Sequence, residues 1–132
     1  MRKLDVFYAL WSPHVLSLLR IVVALLFMEH GTQILFGFPG GFMGGPPMPL
    51  LSLLGIAGVL EFLGGALMLI GLAVRPVAFI LSGDMAVAYF IAHFPRSFYP
   101  AVNQGDGAIL YCFVFLLYFV AGPGRWAITP EK

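Results

Sequence analysis

The chain has 132 residues, room for one domain, and 61% of them are hydrophobic against 10% charged, with a mean hydropathy of +0.97. That balance excludes an ordinary soluble globule and points to a membrane protein. A formal net charge of +1, with no basic patch on a soluble face, also leaves no reason to expect nucleic acid as a partner.

The chain opens with MRKLDVFYALWSP. The basic start followed by apolar residues resembles a signal peptide, but DVFYALWSP breaks the run too early for a cleaved one. Phe7, Tyr8 and Trp11 read instead as an interfacial belt, and Ser12-Pro13 suits the N-cap and first position of a helix. Four apolar stretches then follow, at 15–36, 50–73, 76–93 and 107–121. Crossing the hydrocarbon takes about 20 helical residues, fewer when interfacial residues extend the ends. The fold expected is therefore an all-α four-transmembrane-helix bundle, a single integral membrane domain over 1–132, with both termini on the same side.

The connections differ in character. The first, GFPGGFMGGPPMP at 37–49, has no charge and too much Gly and Pro for a regular element, and it reads as a flap on the outer interface or a loop resting on headgroups. The second is a tight turn around Arg75-Pro76. The third, FPRSFYPAVNQGDG, lies on the same outer side as the first. Arg2, Lys3, Arg75, Arg125 and Lys132 fall on the terminal side, with Arg20 near the start of span one, whereas only Arg96 falls opposite. The positive-inside bias makes the expected location the inner (cytoplasmic) membrane, multi-pass, with cytoplasmic termini.

The polar residues inside these spans carry the functional argument. Glu29, His30 and Gln33 sit in the outer half of span one, with Glu29 and Gln33 on one face as i and i+4. Glu61 lies near the middle of span two, Asp84 near the middle of span three, and His93 and Asp106 at outer ends. An ionisable side chain in hydrocarbon costs a few kcal/mol even on the lenient scale, so three acids in three spans need a reason: a site, or polar glue between helices. Arg20, about half a turn out of phase with Glu29, should not pair with it and is expected to snorkel to the inner headgroups. Around Glu61 the residues at i−4, i−3, i+3 and i+4 are Ala57, Gly58, Gly64 and Gly65, all small, so Glu61 should face the interior from a close-packed seam. Cys112 is the single cysteine, which rules out thiol–disulfide chemistry within the chain and leaves a small buried hydrophobe.

RIVVALLFMEHG, LLGIAGVLEFLGGALMLIGLAVRPVAF, MAVAYFIAH, NQGDGAILY and GPGRW together resemble the DoxX family of small four-helix membrane proteins, from about Leu19 to Trp126. The resemblance implies an integral membrane protein tied to redox metabolism, as a subunit of a quinol or quinone oxidoreductase or alongside a soluble redox partner; relatives with assembly or chaperone roles also occur. It would mark Arg20, His30, Gly31, Glu61, Gly64, Gly65, Arg75, His93, Gly105, Asp106 and Tyr111. Where many relatives continue His-Gly-x-Gln with Lys, this chain has Ile34, and where relatives often carry Glu it has Asp84 and Asp106.

Standard chemistries separate on these residues. A di-iron bundle uses Glu-x-x-His pairs, but Glu29, Glu61 and Asp84 lead to Thr32, Gly64 and Val87, so no di-iron or other metal site is expected. Bis-histidine haem would rest on His30 and His93 alone, too sparse a motif to favour. A quinone site asks for an apolar slot, polar groups at the ring oxygens and an acid to deliver protons. His30, Gln33, His93 and Asp106 are the expected cofactor-binding residues, and Glu61, Glu29 and Asp84 the expected catalytic acids. The reading is a membrane subunit of a quinone-linked oxidoreductase, whether or not it is catalytic alone. Its partners would be the lipid membrane, a soluble or membrane redox partner and a second copy of the chain. The alternative is a non-enzymatic membrane protein: a small-molecule permease, a binder of lipid-like ligands or an assembly factor.

Overall fold

The structure is a computed structural model and describes residues 2–129. Lys132, one of the basic residues assigned to the terminal side, lies outside the described residues. Every regular element among those described is helical: α1 (Lys3–Phe36), α2 (Leu53–Ile70), α3 (Val74–Ala88), the short α4 (Pro100–Asn103) and α5 (Asp106–Ala121). The chain after α3 continues as a π turn over Tyr89–His93 and a 3₁₀ turn over Phe94–Arg96. Three helical stretches are long and apolar enough to cross a membrane, Lys3–Phe36, Leu53–Ile70 and Val74–Arg96, and Asp106–Ala121 is a shorter apolar helix.

The distribution of side chains is inverted relative to a soluble protein. Leu25, Leu26, Leu63, Phe79, Ile80, Leu110 and Phe113 are exposed along the flanks, whereas Ser17, Arg20, Glu61, Ser82 and Asn103 are buried. Apolar flanks around a polar-containing interior are what lipid as solvent selects.

Two features of α1 and α3 correct the sequence expectations. α1 starts at Lys3 rather than at Pro13, which stands inside the helix. The turn before Pro13 is tied instead by the Ser12 hydroxyl, which donates to the Tyr8 carbonyl at 2.5 Å, the kind of side-chain bond that lets a helix carry a proline. At about 1.5 Å per residue α1 runs about 51 Å, well beyond the ~30 Å of a hydrocarbon core. The α2–α3 turn falls at Gly71–Ala73 instead of at Arg75-Pro76. Gly71 takes the left-handed conformation (φ 76°) and closes α2 with bonds to the Leu67 and Met68 carbonyls, so Pro76 sits in the first turn of α3, where its missing N–H is harmless. Ser52 caps α2 at its start, accepting from Gly55 N at 3.0 Å.

Packing is heaviest between α1 and α2 and between α3 and α5, with α2–α3 joining the two pairs. The α1–α2 seam depends on glycine. A Cβ on Gly31 would lie 2.6 Å from the Phe62 nitrogen, and one on Gly65 3.3 Å from the Ala24 carbonyl. Gly64 turns the other way, toward Leu81 of α3. The core between the pairs is Val23, Ala24 and Phe27 of α1, Met68 of α2, Val74, Ala78, Leu81 and Met85 of α3, and Phe115 and Tyr118 of α5. Phe27 meets Phe115 edge-on at 4.8 Å, which brings α1 against α5.

Candidate functional site

The seam places Glu61 as its small neighbours suggested. Its side chain is 6% exposed, held inside by Gly58 and Gly65 against α1 and by Gly64 against α3. Asp84 projects from α3 within electrostatic reach of Glu61, and Tyr111 of α5 lies within reach of both Glu61 and Glu29. Among the described residues, Glu61 Oε2 and Asp84 Oδ2 are buried without a hydrogen-bond partner. Buried polar atoms in folded proteins are nearly all paired, and each exception costs about 1–3 kcal/mol.

The α1 residues form the outer flank of this group. His30 and Glu29 are exposed and Gln33 is half-buried. The His30 ring stands edge-on to Tyr111 at 6.0 Å, and Tyr111 in turn stacks on Phe115 at 6.1 Å and tilts against Phe27 at 5.3 Å. Tyr111 therefore connects the flank, with Glu29 and His30, to the buried Glu61. Sequence reasoning reached Tyr111 only through the family pattern. Its inward direction is readable from Tyr111, Phe115 and Tyr118, aromatics at i, i+4 and i+7 of one helix.

His93 and Asp106 are placed elsewhere. His93 Nδ1 donates to the Asn103 carbonyl at 3.1 Å, and its ring stacks on Tyr89. Asn103, fully buried, donates to Tyr89 Oη at 3.2 Å and to the Ser97 carbonyl at 2.9 Å, and accepts from Gly105 N at 2.8 Å. These bonds tie the third connection to the end of α3. Asp106 is exposed in the first turn of α5, where the positive end of the helix dipole accounts for an acid.

Arg20 departs most from its expected place. It is 1% exposed and does not snorkel. Its Nε donates to the Met68 carbonyl at 2.8 Å, and its Nη1 and Nη2 donate to the carbonyls of Pro123 and Trp126. The segment after α5 folds back beneath the bundle, where Arg125 N bonds the Pro13 carbonyl at 3.2 Å and Trp126 N bonds Ser17 Oγ at 2.9 Å. A helical wheel of α1 carries no information about that return, so the guanidinium's three acceptors could not be foreseen.

Two surface hollows are lined by neither Glu61 nor Asp84. One runs along α1 past Phe7, Trp11 and Val15, and the other lies between α2 and α3, lined by Leu63, Gly64, Leu67, Val77 and Ile80. Both are apolar. The first connection is docked on the end of α1, with Met48 N bonded to the Ile34 carbonyl at 2.8 Å and Thr32 Oγ1 2.9 Å from the Phe38 carbonyl, while Phe38 and Met43 point outward.

Comparison with known proteins shows the family of the chain. The DoxX family model matches residues 15–94, from the start of the apolar part of α1 through the π turn after α3. A protein of Haemophilus influenzae described as an uncharacterized protein is 40% identical over 121 residues, which cover 89% of this chain and 90% of its own. No solved structure matches. The chain thus belongs to the DoxX family of membrane proteins.

Proposed function

We propose that this DoxX protein is the membrane subunit of a quinone-linked oxidoreductase, built as four spans of the cytoplasmic membrane with its termini in the cytoplasm. The observation that supports it most is the set of residues converging on Tyr111: an exposed Glu29 and His30 on the flank and an unpartnered carboxyl oxygen of Glu61 behind them. Polar side chains exposed on a flank between apolar residues call for an occupant that reaches them from within the bilayer. A lipophilic ring with carbonyl oxygens meets that description, and the donor set fits it. Such a ring, when bound, supplies the acceptance of electrons coupled to protons. The chain's part would be to bind and to move protons: His30 and Gln33 would hold the ring oxygens, the half-buried Tyr111 ring would pack against its apolar body, and Glu61 would hold the proton behind them. Glu29, at the open flank, and Asp84, behind Glu61, are the acids through which that proton is replaced.

The test is direct. Protein purified in mild detergent, extracted with organic solvent and examined for its optical spectrum, should release quinone and show no haem or flavin band. Reconstituted with quinol and a soluble acceptor, Glu61→Gln should lose most turnover while keeping its fold. Full turnover in Glu61→Gln would remove Glu61 from the proton path, whereas extraction of phospholipid alone with no quinol turnover would favour a lipid-binding or assembly role. For the topology, a cysteine introduced at Gly44 should be labelled from outside intact cells; labelling only after lysis reverses the orientation.

A further inference from the structure

Two buried carboxyl oxygens on facing helices remain to be explained, and neither belongs to an ion pair among the described residues. Glu61 Oε2 and Asp84 Oδ2 are both without a hydrogen-bond donor, on α2 and α3, in electrostatic reach of one another. The basic side chain buried in this bundle, Arg20, is committed to the carbonyls of Met68, Pro123 and Trp126. The titratable groups that face the pair are Tyr111 from α5 and, beyond it, Glu29 and His30 from α1. None of these is a fixed cation. Two acids in one poorly solvated interior cannot both ionise without strong repulsion, so the first proton is held far more tightly than the second.

We propose that Glu61 and Asp84 form one proton-binding site, a carboxyl pair across the α2–α3 interface that shares a single exchangeable proton. The shared proton leaves one net negative charge on the pair and gives an orphan oxygen its missing donor, directly or through a bridging water. Taking up a second proton from water at the outer end, and giving it back, is then the unit step of the site: one O–H bond forms on a carboxylate as one breaks on hydronium, and the reverse. This deepens the assignment of Glu61 as the site's acid, but it holds whatever the electron partner is.

The packing favours this pairing over two independent acids. Gly64, three residues from Glu61, sits against Leu81, three residues before Asp84, and a Cβ on Gly64 would come 2.6 Å from the Leu81 Cδ2. That close contact aligns the two helices one turn away from the acids and fixes which faces meet. Ser82 is turned from the pair toward α5, where it donates to the Cys112 carbonyl at 2.8 Å, so it does not supply the missing donor.

Infrared difference spectroscopy of the intact protein in liposomes tests the site without any quinone. The wild type should show a protonated-carboxyl band that shifts in D2O and titrates in two steps. Glu61→Gln and Asp84→Asn should each leave one step, with its midpoint displaced by about one pH unit or more from both wild-type steps, the mark of coupled titration. The double variant should lose the band. Single-variant titrations that add up to the wild-type curve with unmoved midpoints would overturn the shared site, as would a band that survives the double variant. Should a variant not fold, selective 13C labelling of Glu or of Asp in the unmutated protein makes the same distinction: a shared proton moves both labelled bands in the same pH steps, whereas independent acids respond separately. Because turnover plays no part, failure here leaves the quinone reading standing, and failure of that reading leaves the pair.

Discussion

Two levels of the bundle that bury charged groups treat them in opposite ways. Toward the end where α1 meets the returning C-terminal segment, Arg20 gives each of its three nitrogens a carbonyl, Ser17 both donates to Pro13 and accepts from Trp126, and the Tyr118 hydroxyl donates to the Leu16 carbonyl at 2.6 Å. At the level of Glu61 and Asp84, oxygens just as deeply buried have no partner. A saturated polar network in lipid rigidifies the structure and has nothing left to offer a ligand. An unsaturated one is costly as structure, which is the reason to assign it to an exchangeable partner, here a proton. The difference teaches that burial of a charged residue in a membrane bundle is not by itself a functional sign; burial without partners is.

The comparison predicts its largest effect at Arg20. Arg20→Met leaves the carbonyls of Met68, Pro123 and Trp126 without their charged donor, and should cost about 3 kcal/mol or more in denaturant unfolding from detergent. The released segment should also become sensitive to protease at Arg125. Arg20→Lys should recover only part of the loss, since a single ammonium cannot span three carbonyls arranged around a planar fork. An Arg20→Met protein as stable as wild type would mean that the sealed level is not a structural one.

The glycine seam gives the next effect. Gly31→Ala puts a Cβ 2.6 Å from the main-chain nitrogen of Phe62, which cannot yield without moving α2, and should cost about 1–3 kcal/mol. Gly64→Ala meets the side chain of the buried Leu81, 2.6 Å from Cδ2 and 3.1 Å from Cγ, which can give more than a main-chain nitrogen can, so with about 1 kcal/mol regained in helix propensity it should cost less than Gly31→Ala. Equal costs at the two positions would show that the α1–α2 approach is no tighter than the α2–α3 one.

The fold was largely legible because the hydrophobic pattern of a membrane helix is long and unambiguous. The stretch 50–73 contains α2, the stretch 107–121 covers α5 from its second residue on, and the small residues around Glu61 correctly announced a buried, close-packed face. Helix boundaries were legible where a cap marks them, as at Ser52, and illegible where a proline is carried inside a helix, as at Pro13. What stayed hidden were contacts made by chain that returns from far away. Arg20 meets residues more than a hundred positions on, and His93 is engaged by Asn103 across an irregular loop, so neither partner leaves a trace in local periodicity. Tyr111 was marked by the family pattern alone, and its place beside the acids was hidden for the opposite reason: in an apolar run an aromatic reads as core until the acids beside it are seen.

A smaller effect is expected at Cys112. Its carbonyl holds the Ser82 hydroxyl, and its Sγ lies 3.5 Å from the same oxygen. Cys112→Ala keeps the main-chain bond and removes one half-buried sulfur, so it should cost about 1 kcal/mol or less and leave activity unchanged. Loss of activity in a folded Cys112→Ala protein would bring thiol chemistry between chains back into question.

The smallest stability change, and the sharpest test of the contrast, belongs to Glu61→Leu. Leucine removes an unpartnered carboxyl from the interior and replaces it with a side chain of similar size among Gly58, Gly64 and Gly65, against α1 and α3. No bond to another fixed donor of the chain is lost at Oε2, and the proton shared with Asp84 stays on Asp84 alone. Replacing a poorly satisfied buried polar group with an apolar one is commonly neutral or stabilising, so the unfolding free energy should change by less than about 1 kcal/mol, or rise. Were Glu61 glue between helices, the same substitution would cost as much as Arg20→Met does at the other level. Denaturant unfolding of the two variants side by side in one detergent decides it: a large loss for Arg20→Met with little or none for Glu61→Leu keeps the two levels distinct, and equal losses would make both of them structural and leave the acid pair without a separate task.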